Sequence, residues 1–243
     1  MEKSFPKIIL ILMANQANPI EQALSKITIR LRNRKNVRAI AVRGSYITGL
    51  RTPTSDVDLF LIQERKSPSV EQIIIDGIEF HIRCYPPTFF DYMFKGRELR
   101  YIGFFKHSRP LWDPVGAYEK YRKQAESLDC NELARFWYPE LVHHCTDAEG
   151  QMCLGNYATA LYILRSGAHL MAQLLLLTTS TPTYKAKDVI TILQQSEEIG
   201  DYRTDILHIL ALDHPVKVDV AVLHRQYEVL IKRFYDDKSV NSE

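Results

Sequence analysis

The sequence predicts an α+β protein: a mixed sheet with helices over residues 1–115, then an all-helical part over 116–243. Three observations carry this reading. Between 37 and 85, short apolar runs alternate with polar residues and are punctuated by Gly, Pro and Asp-Gly, as strands and turns require. After Gly116 those signals stop and apolar residues recur at helical spacing. The charge divides at the same place. Residues 1–115 hold 18 Lys+Arg against 11 Asp+Glu, a difference of +7, and residues 116–243 hold 13 against 18, a difference of −5. A basic front half suits an anionic ligand such as a polyphosphate, and an acidic rear half suits a cationic partner; two ordinary solvated surfaces account for most of the same charges. At 243 residues, 46% hydrophobic and 25% charged, the chain has the composition of a soluble globular protein of one large domain or two small ones.

Taken in order, the first element is a helix over 19–34. Pro19 fits a first-turn position, and Ile20, Leu24, Ile27 and Leu31 form one apolar stripe. Arg30, Arg32, Arg34 and Lys35 give it a basic face, either solvated or able to touch nucleic acid. Strands follow at 37–43 and 57–63. Asp76-Gly77 between the apolar runs 72–76 and 78–85 predicts a two-residue hairpin. Pro86-Pro87 stops the second of these strands, and a helix starts within 88–94. A short strand and turn fall in 108–114. The helical part divides into helices at 117–127, 131–146, 152–178, 185–197, 202–212 and 216–237.

The apolar run 8–13 is too short to span a bilayer, and no small-residue cleavage site follows it. Cys84, Cys130, Cys145 and Cys153 form no C-x-x-C pair. Cys145 and Cys153 stand near His143 and His144, but in no standard zinc spacing, so buried thiols are expected. These features together predict a cytoplasmic protein with reduced cysteines and no membrane partner.

The chemistry concentrates in 37–62. An apolar strand ends at Gly44-Ser45, and ten residues later Asp56-Val57-Asp58 opens a second strand. Successive strand residues face opposite ways, so Asp56 and Asp58 share a face with Cα atoms roughly 7 Å apart. Val57, Leu59 and Leu61 take the other face and can be buried. Adjacent carboxylates repel unless a cation lies between them, and magnesium accepts carboxylate oxygens together with phosphate oxygens. Gly44 lets the backbone approach a ligand closely. On the hairpin strand Ile78, Phe80 and Ile82 alternate with Glu79, His81 and Arg83, giving one apolar and one polar face.

Gly-Ser, a gap like the ten residues 46–55 here, and Asp-x-Asp on the next strand together resemble the nucleotidyltransferase superfamily of the DNA polymerase β type. The resemblance implies that Asp56 and Asp58 hold Mg²⁺ and that a nucleoside triphosphate, ATP among them, is the substrate. It also implies a third acid from a neighbouring strand. Glu79 stands in that place, as metal ligand or as general base, and His81 on the same face is the alternative base. Gly44 and Ser45 would hold the terminal phosphates, with Arg43 and Arg51 as nearby cations. Thr54 and Ser55 fit the turn.

The helical part resembles the carboxy-terminal domains of aminoglycoside adenylyltransferases through residues 156–165 and 184–187. There a lysine reaches the triphosphate, which Lys185 or Lys187 would match. Asn156, Tyr157 and Tyr162 are cleft candidates, although a helix–helix core also explains the tyrosines. Glu132, Glu140, Asp147 and Glu149 suit an amine-rich acceptor or a solvated helix face. Arg165 and His169 share a helix face, like the Arg and His of helical nuclease domains found beside minimal nucleotidyltransferases. Only three residues separate them, fewer than that pattern has, which argues against nuclease activity. The resulting expectation is a Mg²⁺-dependent nucleotidyltransferase that moves a nucleotidyl group, AMP in the first instance, from a nucleoside triphosphate to a small-molecule hydroxyl, with aminoglycoside-like compounds among the candidate acceptors. Nucleotidylation of a protein or a tRNA is the alternative within enzymes. A non-catalytic nucleotide-binding regulatory module is the alternative outside them.

Overall fold

A computed structural model of the chain describes residues 18–49, 55–177, 179, 186–210 and 220–240. The run 8–13, Arg51, Thr54 and Lys185 lie outside the described residues, as does the side chain of Lys187. By its contacts the described chain forms two compact units. One contains the residues up to Phe90 with Ser108–Lys120, and the other Asp91–His107 with the residues from Tyr121 onward.

The first unit is built on helix α1 (Pro19–Arg32), strand β1 (Val37–Arg43), the single turn α2 (Ser45–Thr48), and strands β2 (Val57–Gln63), β3 (Ser69–Ile75), β4 (Ile78–Tyr85) and β5 (Arg109–Trp112). The sheet order is β3-β4-β2-β1-β5. Only β2 and β4 pair in parallel; β1–β2, β1–β5 and β3–β4 are antiparallel, which makes the sheet mixed as expected. Asn18 caps α1 by accepting from the Ile20 N–H, and Pro19 occupies the first turn. Ala23, Leu24, Ile27 and Leu31 of α1 pack on Ile40, Val42, Val57, Leu59, Leu61, Phe80 and Ile82. This is the apolar face that the two-residue alternation predicts.

Asp76 and Gly77 have φ of 52° and 77°, as a type I′ hairpin turn needs at both central residues. Asp76 is therefore in the turn, and β3 starts at Ser69 and ends at Ile75 rather than running over 72–76. The basic face of α1 is partly paired: Arg34 forks onto Glu71, and Lys26 Nζ lies 2.7 Å from Asp76.

Helix α3 (Pro87–Lys95) follows β4, and helix α4 (Leu99–Lys106) was not foreseen. Leu99, Ile102, Phe104 and Phe105 of α4 are all buried, so it has little polar face to betray its period. Helix α5 (Ala117–Ser127) keeps its predicted bounds.

In the second unit, α6 (Cys130–Cys153) runs through the break expected at 147–151. Gly150 is tolerated within it. The real stop is Gly155, at φ 76°, before Asn156 starts α7 (Tyr157–Leu176). Helices α8 (Ala186–Gln195), α9 (Asp201–Leu210) and α10 (Val220–Val240) complete the described part. A Cβ added to Gly167 of α7 would lie 1.9 Å from the Tyr227 hydroxyl oxygen of α10, so the glycine sets the approach of these two helices. Tyr227 is fully buried and donates to the Leu141 carbonyl of α6 at 3.4 Å. No helix among the described residues is long and apolar enough to cross a membrane.

Candidate active site on the sheet

Strand register assembles the site. Asp58 of β2 lies between Arg43 of β1 and His81 of β4, each its direct partner. Paired residues on neighbouring strands point to the same face. Arg43, Asp58 and His81 therefore share a face, along with Asp56, Glu79 and Arg83. The opposite face of the same strands is the apolar core, so its burial fixes the outward direction of every polar member.

Asp58 and Arg43 are buried, at 6% and 2% exposure, and their charged groups are 3.8 Å apart. Asp56 is half-buried. Its Oδ2 is 2.6 Å from His81 Nδ1, while His81 Nε2 is 2.7 Å from Glu79 Oε1. The imidazole thus has a carboxylate at each nitrogen. Carboxylates only accept, so a neutral ring can donate to one of them and a protonated ring to both.

Asp56, Asp58 and His81 offer ligand atoms that all lie within 4.8 Å of one another. Glu79 is on the predicted face but is not one of this group; it reaches the aspartates through His81. His81, ranked behind Glu79 in the sequence, stands at the centre. The signal for it was already present, because residues i and i+2 of a strand share a face.

The Gly-Ser turn is held from behind. Gly44 has φ 80° and ψ −154°, a conformation that disfavours any side chain, and it directly precedes α2. Tyr46 of α2 donates its hydroxyl to Glu21 of α1, and Arg109 of β5 donates to the same carboxylate at 3.0 Å. The Tyr46 hydrogen bond holds Glu21 below the usual carboxylate range against the opposing effect of burial, with Arg109 adding to it. Burial, then Glu21, pushes the Tyr46 phenol up. Ser45 is therefore presented from an anchored turn.

The helical candidates disperse. Tyr157 and Tyr162 are 57% and 73% exposed, so neither fills a helix–helix core. Asn156 Nδ2 donates to Gln151 at 3.0 Å. Glu132 is engaged by Arg97, and Asp147 lies 3.3 Å from His143 Nε2. Cys145 is buried as expected, but Cys153, the last residue of α6, is exposed.

Residues 24–103 match the family model of the nucleotidyltransferase domain. This stretch, about a third of the chain, is similar to a nucleotidyltransferase domain and includes Gly44-Ser45, Asp56, Asp58, Glu79 and His81. Solved structures similar to it include the following two. A nucleotidyltransferase-like protein from Exiguobacterium sibiricum 255-15 is 14% identical, with 90% of this chain and 75% of that one covered and a TM-score of 0.53, which shows a shared fold. Spectinomycin adenyltransferase AAD(9) from Enterococcus faecialis, solved with ATP and spectinomycin, is 10% identical over 89% of this chain and 99% of that one. Its TM-score is 0.38, too low to carry an argument. No curated protein matches the sequence.

Proposed function

We propose that the protein transfers a nucleotidyl group, AMP in the first instance, from a nucleoside triphosphate to the hydroxyl of a small-molecule acceptor, with Mg²⁺ as cofactor. The observation that carries this is the grouping of Asp56, Asp58 and His81 on one sheet face, within a stretch similar to a nucleotidyltransferase domain. The donor set suits the metal. Two carboxylates are hard oxygen ligands of the kind magnesium takes alongside phosphate oxygens, whereas an imidazole favours softer ions. Asp56 and Asp58 would hold the ion, with His81 steadying Asp56 by a hydrogen bond rather than ligating. An ion held there would supply neutralisation of the charge on the attacking and leaving oxygens.

The remaining steps belong to the chain's own residues. Gly44 and Ser45 would cradle the terminal phosphates, with Arg51 as a supporting cation; Arg43, placed beside the phosphates by the sequence, is buried against Asp58 and supports the site from behind. The acceptor oxygen attacks the α-phosphorus and forms a new P–O bond. The bond from that phosphorus to the bridging oxygen breaks, and pyrophosphate leaves with its electron pair. The neutral ring of His81 donates from Nδ1 to Asp56, so the hydroxyl proton passes to Nε2, beside Glu79; the resulting imidazolium is stabilised by both flanking carboxylates. Residues 1–115 would carry this chemistry in the cytoplasm. Residues 116–243 would present the acceptor, with Lys185 or Lys187 reaching the triphosphate. Their net negative charge favours a cationic acceptor, aminoglycoside-like in class, over RNA.

The test is incubation with Mg²⁺ and ATP labelled at the α-phosphate, against panels of aminoglycosides, tRNA and proteins. Label on a small molecule supports the reading. Label on tRNA or protein replaces its acceptor, and bound ATP with no transfer to any panel makes the domain a regulatory nucleotide binder.

A further inference from the structure

A second cluster of metal-ligating side chains lies in the helical unit. Helices α6 and α10 pack together, and Cys145 of α6 meets His224 of α10 with Sγ to Nε2 at 3.3 Å. Both residues are buried, at 8% and 6% exposure. Glu228, one helical turn after His224, brings a carboxylate oxygen within 3.7 Å of His224 Nδ1. One ligand atom from each of the three residues lies within 4.8 Å of the other two. A cavity of about 400 Å³ opens beside them, lined among others by Cys145, Glu149, Glu228, Lys232 and Asp236. Its wall carries three carboxylates against one ammonium.

Two chemistries fit a thiol, an imidazole and a carboxylate in contact. The first is a nucleophilic thiolate with His224 as base and Glu228 as orienter. The surroundings oppose it. Glu149, Glu228 and Asp236 share the cavity wall with the buried Cys145, an anionic setting where an activated thiolate needs a cationic one. The second is a metal. The same carboxylates that disfavour a lone thiolate favour a dication, which would deprotonate the thiol on binding.

We infer that Cys145, His224 and Glu228 form a centre for a divalent cation of the zinc class, with its fourth position open to the adjacent cavity. Thiolate and imidazole ligands select zinc over magnesium, and three protein ligands are enough where a fourth position faces solvent. The spacing is helical logic: His224 and Glu228 at i and i+4 share a face of α10, and α6 supplies the thiol opposite. The ion would clamp α6 to α10 at the point where Tyr227 already locks against Gly167.

The test uses the full chain carrying Asp56→Asn and Asp58→Asn, which takes the sheet carboxylates out of the count. After removal of metal with a chelator, it is titrated with Co²⁺. One Co²⁺ per chain should saturate a thiolate-to-cobalt charge-transfer band, Zn²⁺ should displace it, and a large excess of Mg²⁺ should not. Cys145→Ser should abolish the band. If that variant fails to fold by circular dichroism, Glu228→Gln decides, since its side chain is half exposed and its loss leaves the packing intact. Its Co²⁺ affinity should fall at least about tenfold, the lower bound typical even for groups that only support a metal ligand. No charge-transfer band in the parent chain, a band surviving in folded Cys145→Ser, or unchanged affinity in Glu228→Gln would overturn the assignment.

Discussion

Asp58 and His81 come from two adjacent strands paired in register, with Asp56 one residue before the first of them, whereas Cys145 and His224 come from two helices and lie 79 positions apart in sequence. The first cluster is dictated by local rules. A strand alternates with period two, its buried face is readable from Val57, Leu59, Phe80 and Ile82, and the polar residues between must emerge together. The second depends on which turn of α10 sits opposite which turn of α6. That is settled by side-chain packing around Tyr227, Leu141 and Gly167, and no periodicity in either segment encodes it. A sheet broadcasts its sites in the sequence, and a helix bundle conceals them until it is packed.

The largest expected effect tests the sheet cluster. Asp56→Asn and Asp58→Asn should each lower kcat by about 10³-fold or more, because metal-borne charge stabilisation is worth several kcal/mol in such reactions. Asp58→Asn should also lower stability, because it leaves the buried Arg43 with a neutral partner 3.8 Å away. Turnover measured on folded variants checks the first effect and a denaturant midpoint the second. Asp56, half-buried, should show the catalytic loss with little change in stability. Full activity in either folded variant would break the comparison at its root.

Next in size is the division of labour on β4. If His81 takes the proton, His81→Gln should cost about 10²- to 10⁴-fold in kcat, the usual range for base catalysis, while triphosphate still binds. Glu79→Gln should cost less, because Glu79 acts through the imidazole and is not in the ligand group. The reverse order would make Glu79 the base. Equal loss of metal affinity in Glu79→Gln would make it a ligand. Kinetics paired with nucleotide calorimetry separates these cases.

The same contrast explains what was legible. Phase on β2 and β4 placed Asp56, Asp58, Glu79 and His81 on one face without any coordinates. Rank among them was not legible, because the contacts of His81 with two carboxylates depend on side-chain rotamers that phase does not encode. Arg43 was read as a cation near the phosphates, but its burial against Asp58 follows from β1 lying next to β2, which hydrophobic pattern alone does not fix. In the bundle, helix α5 was located to the residue, while the α6–α7 break was misplaced because Gly150 looks like a stop and Gly155 is the residue that turns left-handed. Helix α4 was missed because almost every apolar residue in it is buried.

A pH measurement sharpens the contrast from the helical side. His107 follows α4, with Nε2 buried and lacking a hydrogen-bond partner among the described residues. Burial, aided by Lys106, lowers its pKa from 6.5 to about 4. The unfolded chain therefore binds a proton between those values that the folded chain refuses. Stability contributed by the neutral ring is present above pH 6.5 and is lost as pH falls toward 4, up to roughly 3 kcal/mol at the acid end. Replacing the ring in His107→Gln should flatten that part of the stability–pH profile while leaving triphosphate binding at neutral pH unchanged. An unaltered acid limb would show that His107 does not stay neutral in the fold.

The smallest expected effect probes the turn that the sheet presents. Ser45 opens α2 directly after Gly44, and Tyr46 next to it is tied to Glu21 and, through that carboxylate, to Arg109. That anchoring is independent of the Ser45 hydroxyl, so Ser45→Ala should leave both the turn and the stability of the domain in place. If the hydroxyl donates to a terminal phosphate, its removal forfeits one hydrogen bond to a charged acceptor, about 1.5–3 kcal/mol at most and nearer 0.5–1.5 kcal/mol where water replaces it. Affinity for ATP should then fall by about three- to tenfold, with AMP affinity unchanged because AMP lacks the terminal phosphates. An equal loss for both nucleotides would move Ser45 from the terminal phosphates to the α-phosphate. No loss for either would leave phosphate binding to the backbone beyond Gly44, where a side chain at φ 80° is strained and Gly44→Val should do the damage that Ser45→Ala does not.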